Sequence, residues 1–426
     1  MKEKICIVGL GYVGLPLAIK LSNTGLDVIG YDLSEKRVTE LMKGTDSTGE
    51  IEDTILSAAL KKGLKITSSE KDIVKADYVI ITVPTPITSS KHPDLTHIKS
   101  ASATVGKNLK KGAVVVYEST VYPGLTEDIC VPILSKNSKK KYLVDFFVGY
   151  SPERINPGDK IHTINKVVKI VAGCDKKTTK KLIKLYSRIT EVYEAKDIKT
   201  AEAAKVIENI QRDLNIALMN ELSEIFERIG LDTHEVLEAA STKWNFHKYS
   251  PGLVGGHCIP IDPYYLVHKA RKIGYKPQVI LAGRSINDYM PYRIAKQVLK
   301  SLKTAKKPKI LVIGLTYKEN VKDLRTTKTK DLIKYLKKQG TDVIGYDPLI
   351  ERETAEKYFK IRCIQKLSVE KGFDAVILAV PHTKVMAEIT IKSLTQLLKQ
   401  DAVVYDVKGI LDREKILTKG IRYFRL

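Results

Sequence analysis

Cysteine is sparse and scattered. Cys6, Cys130, Cys174, Cys258 and Cys363 form no CxxC pair and stand beside no histidine cluster, which argues against a disulfide framework and a structural zinc or other metal site. No apolar run approaches the roughly 18–20 residues of a membrane span, and the first apolar stretch, at positions 5–8, runs into glycines rather than a signal-peptide core. The expectation is a cytoplasmic chain that does not enter a membrane. Acidic residues are outnumbered, 49 Asp and Glu against 72 Lys and Arg, for a net charge of +23. The excess lies on Lys-rich helix faces without a basic tail or an Arg/aromatic platform, so it reads as solvated surface and not as a nucleic-acid footprint. With 26 Gly and 16 Pro in 426 residues, collagen-like and low-complexity classes are excluded, and the length suits two or three domains.

What is present is an internal repeat. Asp27-Val28-Ile29-Gly30-Tyr31-Asp32 recurs as Asp342-Val343-Ile344-Gly345-Tyr346-Asp347. Upstream, Lys4-Ile5-Cys6-Ile7-Val8-Gly9 parallels Lys309-Ile310-Leu311-Val312-Ile313-Gly314; downstream, the apolar run ending at Pro84 parallels the one ending at Pro381. Each is a short run of β-branched and apolar residues, the pattern of a strand buried on both faces of a parallel sheet. Helices are predicted over 13–23 and 328–338, each followed by a glycine, Gly25 and Gly340. The class is therefore α/β, with two doubly wound Rossmann-like domains, 1–198 and 301–426, joined by a central long-helix domain, 199–300. In that middle segment Ile207, Ile210, Leu214, Ala217, Leu218, Leu222 and Ile225 share one broad face of a Pro-free helix over 201–229, expected to be buried and to join two subunits of a homodimer or a higher homo-oligomer; packing inside one chain is the alternative.

Gly9-Leu10-Gly11-Tyr12-Val13-Gly14 follows the first strand and opens the first helix. In that context Gly9 permits the turn, Gly11 lets backbone approach a pyrophosphate, and Gly14 lets helix and strand touch. Asp32 ends the second strand, where a carboxylate accepts from a ribose diol and repels a 2′-phosphate, so NAD is favoured over NADP, with Lys36 and Arg37 nearby to soften the repulsion. In the second unit Thr316 and Lys318 follow Gly314 and the glycine pattern is lost, which implies a different ligand there.

Cys258 stands apart from the other thiols, in the Gly/Pro-rich run Gly252-Leu253-Val254-Gly255-Gly256-His257-Cys258-Ile259-Pro260-Ile261-Asp262-Pro263, where a nucleophilic thiolate could meet a ligand and Asp262 could position a water or a base. Lys205 and Asn209, four apart on the long helix, leave one face and could share a single oxyanion; a solvated Lys–Asn pair is the alternative. An NAD site, a loop thiol and an oxyanion donor pair together describe oxidation of an alcohol past the aldehyde. A two-electron 3-hydroxyacid-type dehydrogenase would share the nucleotide turn and the Lys–Asn pair but would have no use for Cys258 or for a second α/β unit.

Over nearly the whole chain these residues resemble the nucleotide-sugar 6-dehydrogenases, the UDP-glucose and GDP-mannose dehydrogenase superfamily. The resemblance is carried also by Val83-Pro84-Thr85-Pro86, Glu118-Ser119-Thr120-Val121, Ser151-Pro152-Glu153-Arg154 and Gly314-Leu315-Thr316-Tyr317-Lys318 leading to Asp323 and Arg325. It implies that Cys258 forms a thiohemiacetal and then a thioester, that Lys205 and Asn209 hold the oxyanion with Asp262 assisting, that Glu153 orders the hydrolytic water, and that Thr120 holds that water or the substrate hydroxyl. It implies NAD contacts from the glycine turn including Tyr12 and Val13, from Asp32 and Arg37, from Val83, Pro84, Thr85 and Thr120, and from Arg325. For the UDP-sugar substrate it implies Glu153, Arg154, Lys205, Asn209, Tyr249, Gly255, Gly256, Arg284, Tyr317 and Lys318. Position 157 is proline where the UDP-glucose branch has a second glutamate. With Lys243-Trp244-Asn245-Phe246 this resembles the UDP-N-acetylhexosamine branch, which makes uronic acids from UDP-GlcNAc or UDP-GalNAc for surface polysaccharide; UDP-glucose and UDP-ManNAc remain alternatives.

Overall fold

Strands form where β-branched and apolar residues run together, and helices where apolar positions recur every three to four residues. In a computed structural model of the chain, residues 3–155, 165–302 and 306–426 are described; position 157 lies outside them. The chain divides into two units, Met1–Asn209 with Asp262–Lys276, and Ile210–Ile261 with Pro277–Leu426. The middle segment 199–300 is thus shared between the two, and the long helix, Ile198–Ile229, crosses the division.

The first unit holds β1 (Lys4–Val8), β2 (Asp27–Tyr31), β3 (Lys65–Thr67), β4 (Tyr78–Ile81), β5 (Val114–Tyr117), β6 (Phe147–Tyr150), β7 (Lys169–Gly173) and β8 (Val192–Glu194) in the order β3-β2-β1-β4-β5-β6-β7-β8. Every pairing is parallel except β6 with β7. Ile5, Ile7, Ile80, Val114 and Val116 meet Leu15, Ala18 and Leu182 from the covering helices. Each such side chain fully withdrawn from water contributes about 1.5–3 kcal/mol.

The second unit holds β9 (Lys309–Ile313), β10 (Asp342–Tyr346), β11 (Arg362–Ile364), β12 (Phe373–Leu378), β13 (Leu398–Asp406) and β14 (Arg422–Arg425), all parallel, in the order β11-β10-β9-β12-β13-β14. Both faces of this sheet are buried: Ile310, Val312 and Ile377 face Leu332 and Leu336, while Leu311, Ile313 and Val376 face Val385 and Leu394. The repeated hexapeptides coincide with β2 and β10, paired in the same register against β1 and β9, Lys4 with Asp27 and Lys309 with Asp342. Both sheets therefore share the doubly wound order in which the strand leading to the glycine turn lies centrally.

The first helix spans Gly14–Asn23, with Gly25 left-handed (φ +84°). The helix over Thr329–Lys338 is followed by Gly340 (φ +80°). The long helix departs from expectation in its exposure: Ile210 and Ala217 are buried, but Ile207, Leu218 and Ile225 are 54%, 49% and 46% exposed. Its apolar residues occupy two faces, and among the described residues only one of them is covered. No helix of the described residues is long and apolar enough to cross a membrane.

Candidate active site

The glycine turn lies at the carboxyl end of β1. Gly9 has φ +95°, and a Cβ on Gly14 would lie 1.8 Å from the Gly9 carbonyl oxygen, so helix and strand are in backbone contact there. Gly11 is the opposite case: exposed, with nothing within 4 Å of its would-be Cβ. That opening, beside the N-terminus of the Gly14–Asn23 helix, fits a pyrophosphate. Thr82 hydroxyl donates to the Gly9 carbonyl at 2.7 Å and locks the turn to the end of β4.

Asp32 accepts from Leu10 N–H at 2.8 Å through one carboxylate oxygen and from Ser34 N–H at 2.9 Å through the other. It stays part-exposed, with lone pairs left for a ribose diol. Arg37 donates through Nε to the Leu10 carbonyl at 3.0 Å, while its other nitrogens reach Glu40 and Asp46 at 2.9 and 2.7 Å. Its charge is thereby matched by two carboxylates and does little to soften the repulsion of a 2′-phosphate, which deepens the preference for NAD. Tyr12 and Val13 line the helix start, and Val83, Pro84 and Thr85 follow β4, with Val83 against Gly9. Thr120 is part-exposed just beyond β5, next to Ser119, whose hydroxyl donates to the Val83 carbonyl at 2.6 Å.

Beyond β6, Glu153 accepts the N–H groups of Arg154 and Ile155, both at 2.7 Å, on one oxygen and the Lys169 ammonium at 3.3 Å on the other. Burial pushes this carboxyl up, but Lys169 and the backbone donors outweigh it and hold it below its usual value. Arg154 is turned to the Val168 carbonyl and to Glu208, both at 2.7 Å, and its side chain stays part-exposed.

Lys205 and Asn209 are both buried, and Asp262, the first residue of the helix Asp262–Lys272, accepts from Asn209 Nδ2 at 2.6 Å. Burial pushes the Asp262 carboxyl up to about 6, with the Lys205 charge and the Asn209 hydrogen bond opposing. The spacing of Lys205 and Asn209 thus sets one hydrogen-bond donor, Asn209, and one positive charge, Lys205, toward the same buried carboxylate. Glu202, a turn earlier, was missed at the sequence level: buried, it accepts the N–H groups of Gly124 and Thr126 and ties the segment after Thr120 to the long helix. A glutamate among alanines, three residues before Lys205, was the available signal.

In the second unit Cys258 is exposed, whereas Cys6, Cys130 and Cys363 are buried, with thiols that burial pushes up to about 12, and Cys174 is part-buried with its thiol raised by the same cause. Only Cys258 combines access with a glycine-rich setting. Its loop is fastened on the N-terminal side. The Tyr317 ring lies where a Cβ on Gly256 (φ +95°) would be, Thr326 hydroxyl donates to the Gly256 carbonyl at 2.7 Å, and Gly255 abuts the Thr326 carbonyl. His257 Nε2 is 2.9 Å from Asp323, which Arg325 also grips through Nε and Nη2. Although burial opposes it, these two partners hold the Asp323 carboxyl well below the usual range. Arg325 keeps 55% of its side chain exposed, and Lys318 is part-buried beside Tyr317.

Asp347, the counterpart of Asp32, accepts from Leu315 N–H at 2.7 Å and Leu349 N–H at 2.9 Å, but also from Thr316 N–H and lies 3.0 Å from His382 Nε2. His382 Nδ1 accepts the Asn320 N–H, so Nε2 carries the proton and donates to Asp347. Thr316 fills the place of Gly11 and the carboxylate is used internally, which accounts for a unit that takes no dinucleotide.

Arg284 requires a correction. Expected to meet substrate phosphates, it is 2% exposed, with its guanidinium on Asp213 at 2.6 Å and on Asp288. Asn287 joins Asp213 and Asn220, and Asn220 exchanges hydrogen bonds with both backbone groups of Gly252. Its two acidic partners lie far off in sequence or one turn away, and their charge draws the cation inward. The cations that do face an opening are others. An open hollow of about 380 Å³ is lined by Arg212, Lys248, Tyr249, Gly252, Leu253 and Lys408.

With this geometry in hand, the comparisons are specific. Residues 3–195 match the NAD binding domain, 199–289 the central domain and 311–413 the UDP binding domain of the UDP-glucose/GDP-mannose dehydrogenase family. The chain is 47% identical to Protein CapL of Staphylococcus aureus over 98% of both chains. It is 46% identical to UDP-N-acetyl-D-glucosamine 6-dehydrogenase of Pseudomonas aeruginosa over 97% of this chain and 99% of that one. A solved structure of a UDP-D-ManNAc dehydrogenase from Pyrococcus horikoshii is similar with a TM-score of 0.88 at 29% identity, over 99% of this chain and 98% of that one.

The two glycines separate folding from binding. Gly14→Ala should lower the thermal unfolding midpoint, at a cost of about 1–3 kcal/mol for forcing atoms into filled space. Gly11→Val should leave that midpoint in place while weakening NAD at least about tenfold in calorimetry, since the close approach of the phosphate is lost. Unchanged NAD affinity in Gly11→Val would remove the turn from the cofactor site.

Proposed function

Because the chain belongs to the UDP-glucose/GDP-mannose dehydrogenase family in all three of its domains, we propose that it oxidises the C6 hydroxyl of a UDP-N-acetylhexosamine to the carboxylate, with NAD as acceptor and UDP-GlcNAc as the first candidate. The observation that carries the reading is Cys258, the exposed thiol in a loop fastened beneath Tyr317. Identity to the Pseudomonas aeruginosa UDP-GlcNAc enzyme, 46%, against 29% to the Pyrococcus horikoshii UDP-ManNAc enzyme, favours the gluco epimer.

NAD, when bound at the first glycine turn, supplies the hydride acceptor, two equivalents per sugar. The chain's own residues do the rest. Cys258 thiolate adds to the C6 aldehyde, and the thiohemiacetal oxygen is held by Lys205 and Asn209. Loss of a second hydride leaves a thioester on Cys258. Water ordered by Glu153 and Thr120 attacks it, the C–S bond breaks, and the thiol is returned with the acid. Asp262 keeps Lys205 and Asn209 aimed. Tyr317 and Lys318 take the uracil and ribose, and Tyr249 with Gly255, Gly256 and the cations Arg212, Lys248 and Lys408 takes the diphosphate, whose charge their wall complements.

We retain the organisation 1–198, 199–300 and 301–426, with the middle part as the dimer contact. Ile207, Leu218 and Ile225, exposed on one helix, support a second copy packed against it. A cytoplasmic setting suits an enzyme whose working thiol must stay reduced.

Given UDP-GlcNAc and excess NAD, the protein should form about two NADH per sugar, read by absorbance, and Cys258→Ser should bind NAD but not turn over. One NADH with free aldehyde, or an active Cys258→Ser, would end the thioester reading. The folded chain prefers protonated Asp262, so this group costs stability progressively as pH rises from the ordinary aspartate range to about 6, while chemistry uses the ionised form. Turnover should therefore fall as pH drops through about 6. In Asp262→Asn the kcat profile should lose that limb and lie about a hundredfold lower. In sedimentation, Leu218→Glu with Ile225→Glu should shift the wild-type oligomer toward single chains; an unchanged mass would place the subunit contact elsewhere.

A further inference from the structure

We propose that Lys169 is a positioning residue of this reaction: by bridging Glu153 to Glu118 it fixes where the water-ordering carboxylate points. The proposal rests on the reading of Glu153 given above. It begins in the sheet order. β5, β6 and β7 are neighbours, and β6 with β7 is the antiparallel pair of this sheet, β8 then running parallel to β7. The register pairs Gly149 with Gly173 and Tyr150 with Ala172. Continued past the end of β6, that register sets the first residue of β7 opposite Glu153. The reversal of direction at β7 thus brings a lysine to the carboxyl edge of the parallel strands, the edge where ligands bind in such sheets.

There the Lys169 ammonium is enclosed. It donates to Glu118 at 2.8 Å and to Glu153 at 3.3 Å, and lies 5.2 Å from the centre of the Tyr186 ring. Tyr186 hydroxyl donates to the other Glu118 oxygen. The exposures of Lys169 and Glu118, 4% and 0%, mean that no water shell competes. Among the described residues, the other groups on Glu153 are the backbone N–H groups of Arg154 and Ile155, while the Arg154 guanidinium is directed to Val168 and Glu208. The two carboxylates are not equivalent. Burial raises Glu118 despite Lys169, whereas Glu153, with its extra backbone donors, is held below its ordinary value. One lysine therefore divides a buried pair into a proton-tolerant member and an anion, and the anion is the one at the reaction edge.

The test follows the carboxylate itself, by isotope-edited infrared titration of protein carrying 13C-labelled glutamate, with the Glu153 band assigned by its loss in Glu153→Gln. At about pH 5 the band should be fully ionised in the wild type and partly protonated in Lys169→Met, a rise of at least about one pH unit on losing a cation within 4 Å. Lys169→Arg should restore ionisation. If Lys169→Met does not fold, the double variant Lys169→Met with Glu118→Gln removes one charge of each sign and should show the same rise. A Glu153 band that titrates as in the wild type in the folded variant would overturn the proposal. Single-turnover thioester hydrolysis separates the two readings. Hydrolysis slowed in step with the band supports both. A shifted band with unaltered hydrolysis upholds the tie between Lys169 and Glu153 but removes Glu153 from the hydrolytic step.

Discussion

A carboxylate at the end of the second strand, accepting the N–H of the residue after the first glycine, organises each of the two sheets. Asp32 does this for Leu10 and Asp347 for Leu315, at 2.8 and 2.7 Å. The bond closes a turn whose glycine is left-handed in both units, Gly9 at +95° and Gly314 at +82°. It thereby sets the direction in which the chain leaves the central strand. What surrounds the carboxylate decides its use. Open beside Gly11, Asp32 keeps lone pairs for a ligand; in the second unit Thr316 and His382 use them up. One repeated brace serves a dinucleotide in one copy and only the fold in the other.

Buried charge follows a common rule at the sites. Two interior cations are each matched by a pair of carboxylates: Lys169 by Glu118 and Glu153, and Arg284 by the distant Asp213 and by Asp288 one turn away. Where burial is not fully compensated, as at Asp262, the acid is left close to neutral pH, a range suited to proton handling. The large positive net charge therefore resides mostly outside these clusters, where it can draw in anionic nucleotides.

Much of this was legible in the sequence because it is local or periodic. The repeat predicted matching strands, the glycine spacing predicted the turn, and the four-residue interval of Lys205 and Asn209 predicted a shared direction. The isolation of Cys258 in a glycine loop pointed to the exposed thiol. What was not legible depends on partners far apart in sequence. Nothing local shows that Asp213 waits for Arg284, or that a reversed strand sets Lys169 against Glu153. The apolar face of the long helix was readable as a pattern, but which half of it the chain itself covers is decided by tertiary packing.

The Arg37 cluster bears on how this nucleotide site could evolve. Redirecting such a site toward a phosphorylated adenosine is usually imagined as exchange of the acidic residue on the second strand. Here the nearest guanidinium is already shared among the Leu10 carbonyl, Glu40 and Asp46, so loss of Asp32 alone would not release Arg37 for the extra phosphate and would leave that part to the exposed Lys36. Coenzyme choice is consequently held by a small interlocked group, and a lineage changing it must cross an intermediate that serves neither coenzyme well.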